Sequence, residues 1–344
     1  MSSYAFWNNK GGVGKSFLCF AAASEYAYRY PDTDVYVIDL CPQANVSEML
    51  LGGYFTSPDA LHFLMSKTPR ATVAGYLEAR LNSPFRMVAD VSPYLCEPRE
   101  FNQNIPENLR LVCGDNYLEI ISEAIRQTSQ LEIPYDSWKQ VLTWGRDLTV
   151  ALRSYSGDRD TIFFIDCSPT FAISTQLALV AAENLIVPFI ADYTSRLAIE
   201  NVLAILYAIT DPHTAPYARI AFAKRAKEEG VPVPKLHTFV SLNLTLYKGR
   251  ASKASEAVNQ RIMQMMDDIH KKHRHIFANS KDKPSNTFIE IPDFTSGSVL
   301  AATTGTPLHK LTPAAKNIAG EQVQLNAESL QRYRDALEKF VNCI

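Results

Sequence analysis

The chain has 344 residues, 47% of them hydrophobic and 20% charged, a balance that supports a sizeable core and excludes a disordered or fibrous chain. A formal net charge of −2 excludes a uniformly basic surface, and no run of roughly eighteen apolar residues is present to cross a bilayer. The six cysteines, at positions 19, 41, 96, 113, 167 and 343, contain no Cys-x-x-Cys pair and form no recognisable metal or iron–sulfur set. Residues 1–10 lack the basic and apolar regions of a secretory leader, so a soluble cytoplasmic protein is expected.

Short runs rich in β-branched and aromatic residues alternate with longer helical patterns. In chain order the spacing predicts a strand at 4–7, a helix over 15–30, strands at 35–38 and 109–113, and a helix over 117–130. A strand at 162–165, a helix over 174–182, a strand at 185–188 and a helix over 197–209 follow. The last elements are a strand at 238–242, a helix over 252–276, a strand at 288–291 and a helix over 327–342. Such alternation is the mark of βαβ units, so the fold class is α/β, a mostly parallel sheet flanked by helices. Residues 51–107 and 130–160 fit neither pattern well. They read as insertions on the rim of one domain spanning 1–344.

The first strand runs into Asn8-Asn9-Lys10-Gly11-Gly12-Val13-Gly14-Lys15-Ser16, and a helical pattern follows at once. In this strand, loop and helix setting the glycines let successive N–H groups turn toward a phosphate, and the helix adds its positive end. Lys15 has the reach for the β- and γ-phosphates, and Ser16 the hydroxyl to ligate Mg²⁺. The expected cofactors are therefore ATP and Mg²⁺. The first glycine of the ordinary phosphate-loop pattern falls at position 9, which here is Asn9, and a lysine, Lys10, follows it.

Two acids end apolar strands farther on. Asp39 opens Asp39-Leu40-Cys41-Pro42-Gln43-Ala44-Asn45, and Asp166 closes Ile162-Phe163-Phe164-Ile165-Asp166. An acid at the carboxyl edge of a parallel sheet stands where ligands bind and is suited to hold Mg²⁺. Capping of the following turn is the other reading of Asp39.

Together these motifs resemble the ParA/MinD family of P-loop ATPases, whose deviant phosphate loop matches Lys10-Gly11-Gly12-Val13-Gly14-Lys15-Ser16. The resemblance makes Lys10 the signature lysine, which reaches the nucleotide of a second subunit, and so implies a homodimer formed on ATP. Lys10, Lys15, Asp39 and Asp166 are then the expected catalytic groups, with residues 10–16 holding the nucleotide and Ser16, Asp39 and Asp166 around Mg²⁺. Two positions depart from the family. Its second loop aspartate, which positions the attacking water, is replaced by Cys41, so hydrolysis is expected to be slow or assisted. Its second hydroxyl after the phosphate loop is replaced by Phe17, which is left out of the site.

The similarity extends over 105–112, 184–189, 195–197, 243–250, 291–293 and 305–308, nearly the whole chain. It makes Asn243 and Pro292 the candidates beside the nucleobase; a strand-end cap is the other reading of Asn243. Non-specific DNA binding by the dimer is a further implication. Between residues 219 and 283 there are fourteen Lys/Arg against six Asp/Glu, and Lys248, Arg250, Lys253, Lys271, Lys272 and Arg274 are the candidates for phosphate contacts. A solvated basic face at a helix C-terminus is the other reading of the 271–275 run. The sequence enters the first strand directly, so sequence-specific binding of DNA is not expected. The last helix has the apolar spacing of one docked on a core, with its charges cancelling, so no membrane contact is expected. The implied partners are a second copy, non-specific DNA and a centromere-binding, ParB-like or other adaptor, which would put the protein with the nucleoid. Two functions remain open: a partition or positioning ATPase, and a weakly hydrolytic, ATP-clamped scaffold dimer.

Overall fold

A run such as Val35-Tyr36-Val37-Ile38, apolar at every position, belongs to a strand covered on both faces. In the computed structural model Val35 and Val37 pack into one core cluster and Tyr36 and Ile38 into another. The structure describes residues 2–210, 222–244, 246–247, 250–251, 253–292, 294–318 and 321–344.

The first half comprises β1 (Ser2–Phe6), α1 (Lys15–Arg29), β2 (Thr33–Leu40), α2 (Asn45–Leu50), α3 (Ser57–Ser66), α4 (Val73–Asn82), β3 (Leu109–Val112), α5 (Tyr117–Thr128), α6 (Ser137–Leu142) and α7 (Trp144–Ser156). Then come β4 (Asp160–Cys167), α8 (Ile173–Ala181), β5 (Asn184–Ile190), α9 (Tyr193–Tyr207), α10 (Phe222–Glu229) and β6 (Lys235–Leu244). The rest is β7 (Leu246–Tyr247), β8 (Arg250–Ala251), α11 (Lys253–Lys272), β9 (Ile289–Pro292), α12 (Thr295–Thr304), β10 (Ala314–Ile318), β11 (Glu321–Leu325) and α13 (Ala327–Val341).

All seven expected strands enter one parallel sheet, in the order β3-β2-β4-β1-β5-β6-β9. Parallel neighbours need crossovers, and the helices that supply them cover both faces. Period-two alternation sorts the side chains: Tyr4, Phe6, Ile162 and Phe164 face α1, α2, α3, α12 and α13, while Ala5, Phe163 and Ile165 face the layer built from α4 to α9 and α11. The edge strand β3 is covered by the preceding segment, where Cys96 and Leu111 exchange hydrogen bonds of 2.8 and 2.9 Å.

The rim placement expected for residues 51–107 and 130–160 does not hold. Val73, Ala74, Tyr76 and Leu77 of α4, with Trp138, Val141, Trp144, Leu148 and Leu152 of α6 and α7, lie in the same cluster as Tyr36 and Phe163. These segments bury aromatic and aliphatic groups against the sheet. They form part of its covering layer.

The fold brings every sheet loop that carries a candidate residue to one edge. β1 is central, with β4 on one side and β5 on the other. Its carboxyl end therefore opens where the strand order reverses, the place where open α/β sheets bind ligands.

Candidate functional site

The loop after β1 is anchored before it turns. The Asn8 amide donates to the Pro188 carbonyl at 2.8 Å, and its oxygen accepts the Lys10 N–H at 3.1 Å, tying the loop to β5. Gly12 and Gly14 take φ values of +71° and +80°, which strain any residue with a side chain. Nothing stands within 4 Å of where a Cβ on Gly11 or Gly12 would sit, so the concave side of the loop is open. The N-cap of α1 is Gly14, which has no side chain to cap the helix, and the first turn carries no acid. Its N–H groups are left to an anion. Lys15 is buried beneath the loop and donates to the Lys10 carbonyl at 3.0 Å. Burial lowers its pKa, and the nearby Asp166 charge opposes that shift.

Asp39 and Asp166 come from adjacent strands and are register partners in the β2–β4 ladder. Both are fully buried, but their surroundings differ. Asp39 Oδ1 accepts the Cys41 N–H at 3.0 Å, and Oδ2 accepts the Ser47 N–H at 3.2 Å and the Ser47 hydroxyl at 2.7 Å. The Ser47 oxygen in turn accepts the Gly114 N–H at 2.8 Å. Neither oxygen of Asp166 makes a hydrogen bond of good geometry among the described residues, although the Ser16 hydroxyl and the Cys167 N–H stand close enough to act on it. Burial, and then the Asp39 charge, push the Asp166 carboxyl well up, against the pull of the Ser16 hydroxyl and the Lys15 ammonium. Burial also raises Asp39, and its hydrogen bonds from Ser47 and Cys41 oppose this. An orphaned buried carboxylate beside a phosphate loop fits a cation.

Cys41 follows Asp39 at the floor of a cavity of ≈ 1110 Å³ whose lining also includes Gly12, Val13, Gly14, Lys15 and Ser16. Burial, with the charges of Asp39 and Asp166, pushes the Cys41 thiol up to about 12, so it stands there as a neutral thiol. Phe17, set aside on sequence grounds, lines the same cavity and packs edge-on against Phe294, with ring centroids 5.3 Å apart. It belongs to the cavity wall. The wall continues through Tyr54, Phe55, Val299 and Thr303, which no sequence motif connects with the loop.

Lys10 points to β5 and α9. Its ammonium forms an ion pair with Asp192. The other Asp192 oxygen caps α9, accepting the N–H groups of Thr194 and Ser195, each at 3.0 Å. Burial raises the Asp192 carboxyl, but Lys10 and these hydrogen bonds outweigh it and hold it at about 2. An Asp-x-Thr/Ser start to a helix was the one sequence signal for this residue.

The remaining candidates are dispersed. Pro292 ends β9 and is half-buried, outside the cavity lining. Asn243 lies on β6 and Arg250 on β8, but their side chains, like all of Lys248, fall outside the described residues. Lys253 is exposed at the first turn of α11, whereas Lys271 and Lys272 are exposed at its far end and Arg274 lies just beyond. The structure therefore separates Lys253 from the other three by about 27 Å of helix. The apolar face of α13, with Leu330, Tyr333, Leu337 and Phe340, is buried in the core cluster that contains α1, as its spacing predicted. No helix of the described residues is long and apolar enough to cross a membrane.

The comparisons agree with this geometry. A family model described as an AAA domain matches residues 1–215, more than half of the chain. Among solved structures, Cyanothece McdA in complex with ATP is similar with a TM-score of 0.61 at 14% identity, over 100% of this chain and 95% of that one. A protein of Borrelia burgdorferi B31 described as a plasmid partition protein and bound to AMPPNP gives 0.55 at 15% identity, over 100% of this chain and 99% of that one. Cobyrinic acid a,c-diamide synthase from Mycobacterium smegmatis, with ADP and magnesium, gives 0.50 at 19% identity, over 77% of this chain and 82% of that one. At these identities the likeness is one of fold. No curated protein matches the chain by sequence. With the family model, the parallel sheet and the phosphate loop in agreement, the chain belongs to the AAA-domain family of ParA/MinD-type P-loop ATPases.

Proposed function

We propose that the chain is an ATP- and Mg²⁺-dependent partition or positioning ATPase that dimerises on ATP, binds DNA without sequence preference as the dimer, and moves a cargo through an adaptor of the centromere-binding, ParB-like kind. The observation that carries this reading is the pairing of an open, uncapped phosphate loop with the orphaned carboxylate of Asp166. Lys15 and the N–H groups of Gly12 and Gly14 would hold the phosphates, and Ser16 and Asp166 would hold Mg²⁺. Mg²⁺ supplies neutralisation of phosphate charge when bound. Asp39 keeps the 41–47 loop in place and adds its charge beside Asp166. Lys10, held by Asp192 in the single chain, is the group that the family likeness assigns to the second subunit's nucleotide. Association with the nucleoid follows from the DNA reading.

A second reading is favoured by Cys41. A neutral thiol is a poor acceptor for an attacking water, and this suits an ATP-clamped scaffold dimer that hydrolyses weakly. Steady-state ATPase assays with and without DNA separate the two. Turnover that is abolished in Lys10→Ala and Lys15→Ala supports the ATPase. A purified dimer that retains intact ATP and shows no turnover sinks that reading and supports the scaffold.

A further inference from the structure

Cys41 leaves the loop after β2 without a carboxylate, but the cavity contains another one close by. Glu48 lines the same cavity as Cys41, Lys15 and Ser16. It sits in the first turn of α2, the helix into which the Cys41 loop leads. Its N–H donates to the Ala44 carbonyl at 2.9 Å. Its half-buried carboxylate is shifted upward by burial, with no hydrogen bond or opposite charge from the described residues acting on it, and it lies close enough for its own charge to act on Asp39.

Elimination narrows the choice further. Among the described residues the acids that line the cavity are Glu48 and Glu119, and Glu119 is exposed in the first turn of α5. Both oxygens of Asp39 are committed to Cys41 and Ser47. Asp166 is fully buried beneath the loop. A plain acid at a helix N-terminus would contribute only to helix stability. A half-buried carboxylate without a partner among the described residues, lining a phosphate-loop cavity, is placed for more than that.

We propose that Glu48 orients the attacking water for ATP hydrolysis in place of the acid missing at position 41. The inference rests on the ATPase reading above. The water oxygen bonds to the γ-phosphorus as the bond from that phosphorus to the β,γ-bridging oxygen breaks, and the bridging oxygen leaves with the electron pair as part of ADP. Glu48 accepts one water proton and returns it to solvent, while the other stays on the released phosphate.

The test uses the full chain with ATP and Mg²⁺, with and without DNA, and a fluorescent ATP analogue to follow binding. Glu48→Gln should lower kcat about 100-fold and leave the KM for ATP and the analogue's affinity unchanged. Glu48→Asp should restore part of the rate. Adding Cys41→Asp to Glu48→Gln should recover turnover, because the acid would again stand at position 41. An unchanged kcat in Glu48→Gln, while the wild-type chain turns over, overturns this inference alone. Analogue binding without turnover in the wild type overturns the ATPase reading and this inference with it. Loss of binding together with turnover in both Glu48 variants would assign Glu48 a structural role and also overturn it.

Discussion

Asp39 and Asp166 are register partners on β2 and β4, yet Asp39 holds three hydrogen bonds and Asp166 makes none of good geometry among the described residues. Packing produces the asymmetry. Gly114, at the end of β3, lets Ser47 reach Asp39, whereas Asp166 ends a central strand that opens only onto the loop. The pair therefore divides the work between a carboxylate that fixes its own loop and one left to a cation.

Removing nucleotide and Mg²⁺ should expose the cost of that arrangement. Burial raises both carboxyls above their ordinary range, so the folded chain binds these protons more tightly than the unfolded chain. Stability is then greatest below the unfolded carboxylate value of about 4 and is lost as pH rises from there through the folded values, about 6 for Asp39 and about 8 for Asp166. The melting temperature of the apo chain should drop between about pH 5 and about pH 8. Asp166→Asn should flatten the drop and raise the value near pH 8 by about 1–2 °C, as roughly 1 kcal/mol of relieved burial cost implies at this size. The same variant should lose Mg²⁺-dependent turnover. Scanning calorimetry decides the matter: a lower melting temperature for the variant near pH 8 would mean that Asp166 already has a stabilising partner in the apo chain.

Asp192 performs two tasks that substitutions can separate. It caps α9 and pairs with Lys10. Asp192→Ala removes both and should cost about 1 kcal/mol. Asp192→Asn keeps a good cap, and because a half-exposed ion pair contributes little, it should stay within about 0.5 kcal/mol of wild type. Urea unfolding of the apo chain measures both. Equal losses would assign the stability to the Lys10 pair.

Gly114 is needed for closeness. A Cβ there would stand 2.6 Å from the Asp39 carboxyl carbon and from Oδ2. Gly114→Ala should therefore destabilise by about 1–3 kcal/mol through overpacking, and it should also weaken Mg²⁺-dependent ATP binding by moving Asp39. Ser47→Ala, which removes the hydrogen bonds to Asp39 and from Gly114 without adding bulk, should cost about 1–2 kcal/mol. Denaturation midpoints and titration with a fluorescent ATP analogue would check the order. A Gly114→Ala chain as stable as wild type would show that the 41–47 loop yields easily.

The sheet was legible because each strand is a short run apolar on both faces, set between longer helical patterns, and the phosphate loop because its glycines, lysine and serine are contiguous. Asp39 and Asp166 were legible for a related reason, since each closes such a run. Gly114, Asp192 and Glu48 were not. Their roles arise when strands distant in sequence become neighbours: Gly114 meets Asp39 because β3 pairs with β2, and Asp192 meets Lys10 because β5 pairs with β1. The helices α6 and α7 had a signal in Trp138, Val141 and Leu142 followed by Leu148 and Leu152, but the break at Thr143 left each stretch short. The packing of Phe17 against Phe294, which makes it part of the cavity wall, had no signal in the sequence for the same reason as the contacts of Gly114 and Asp192.

The basic residues can be tested as two surfaces, since α11 holds them apart. Lys271 is paired with Asp268 at 2.7 Å, and the run from Lys271 to Arg274 lies at a helix C-terminus, where cations suit the dipole without any ligand. Lys253 lies at the other end, on the side of the chain that leads from Arg250. Combined Lys248→Ala, Arg250→Ala and Lys253→Ala should therefore weaken duplex binding in the presence of ATP. It should also make the plot of log affinity against log salt shallower by about 2–3, near 0.9 for each phosphate no longer neutralised. Combined Lys271→Ala, Lys272→Ala and Arg274→Ala should change the slope by less than about 1. Anisotropy titrations over a range of salt concentrations measure both. The reverse ranking would move the DNA surface to the far end of α11, and two unchanged slopes would remove DNA from the proposed function while leaving the nucleotide site as it stands.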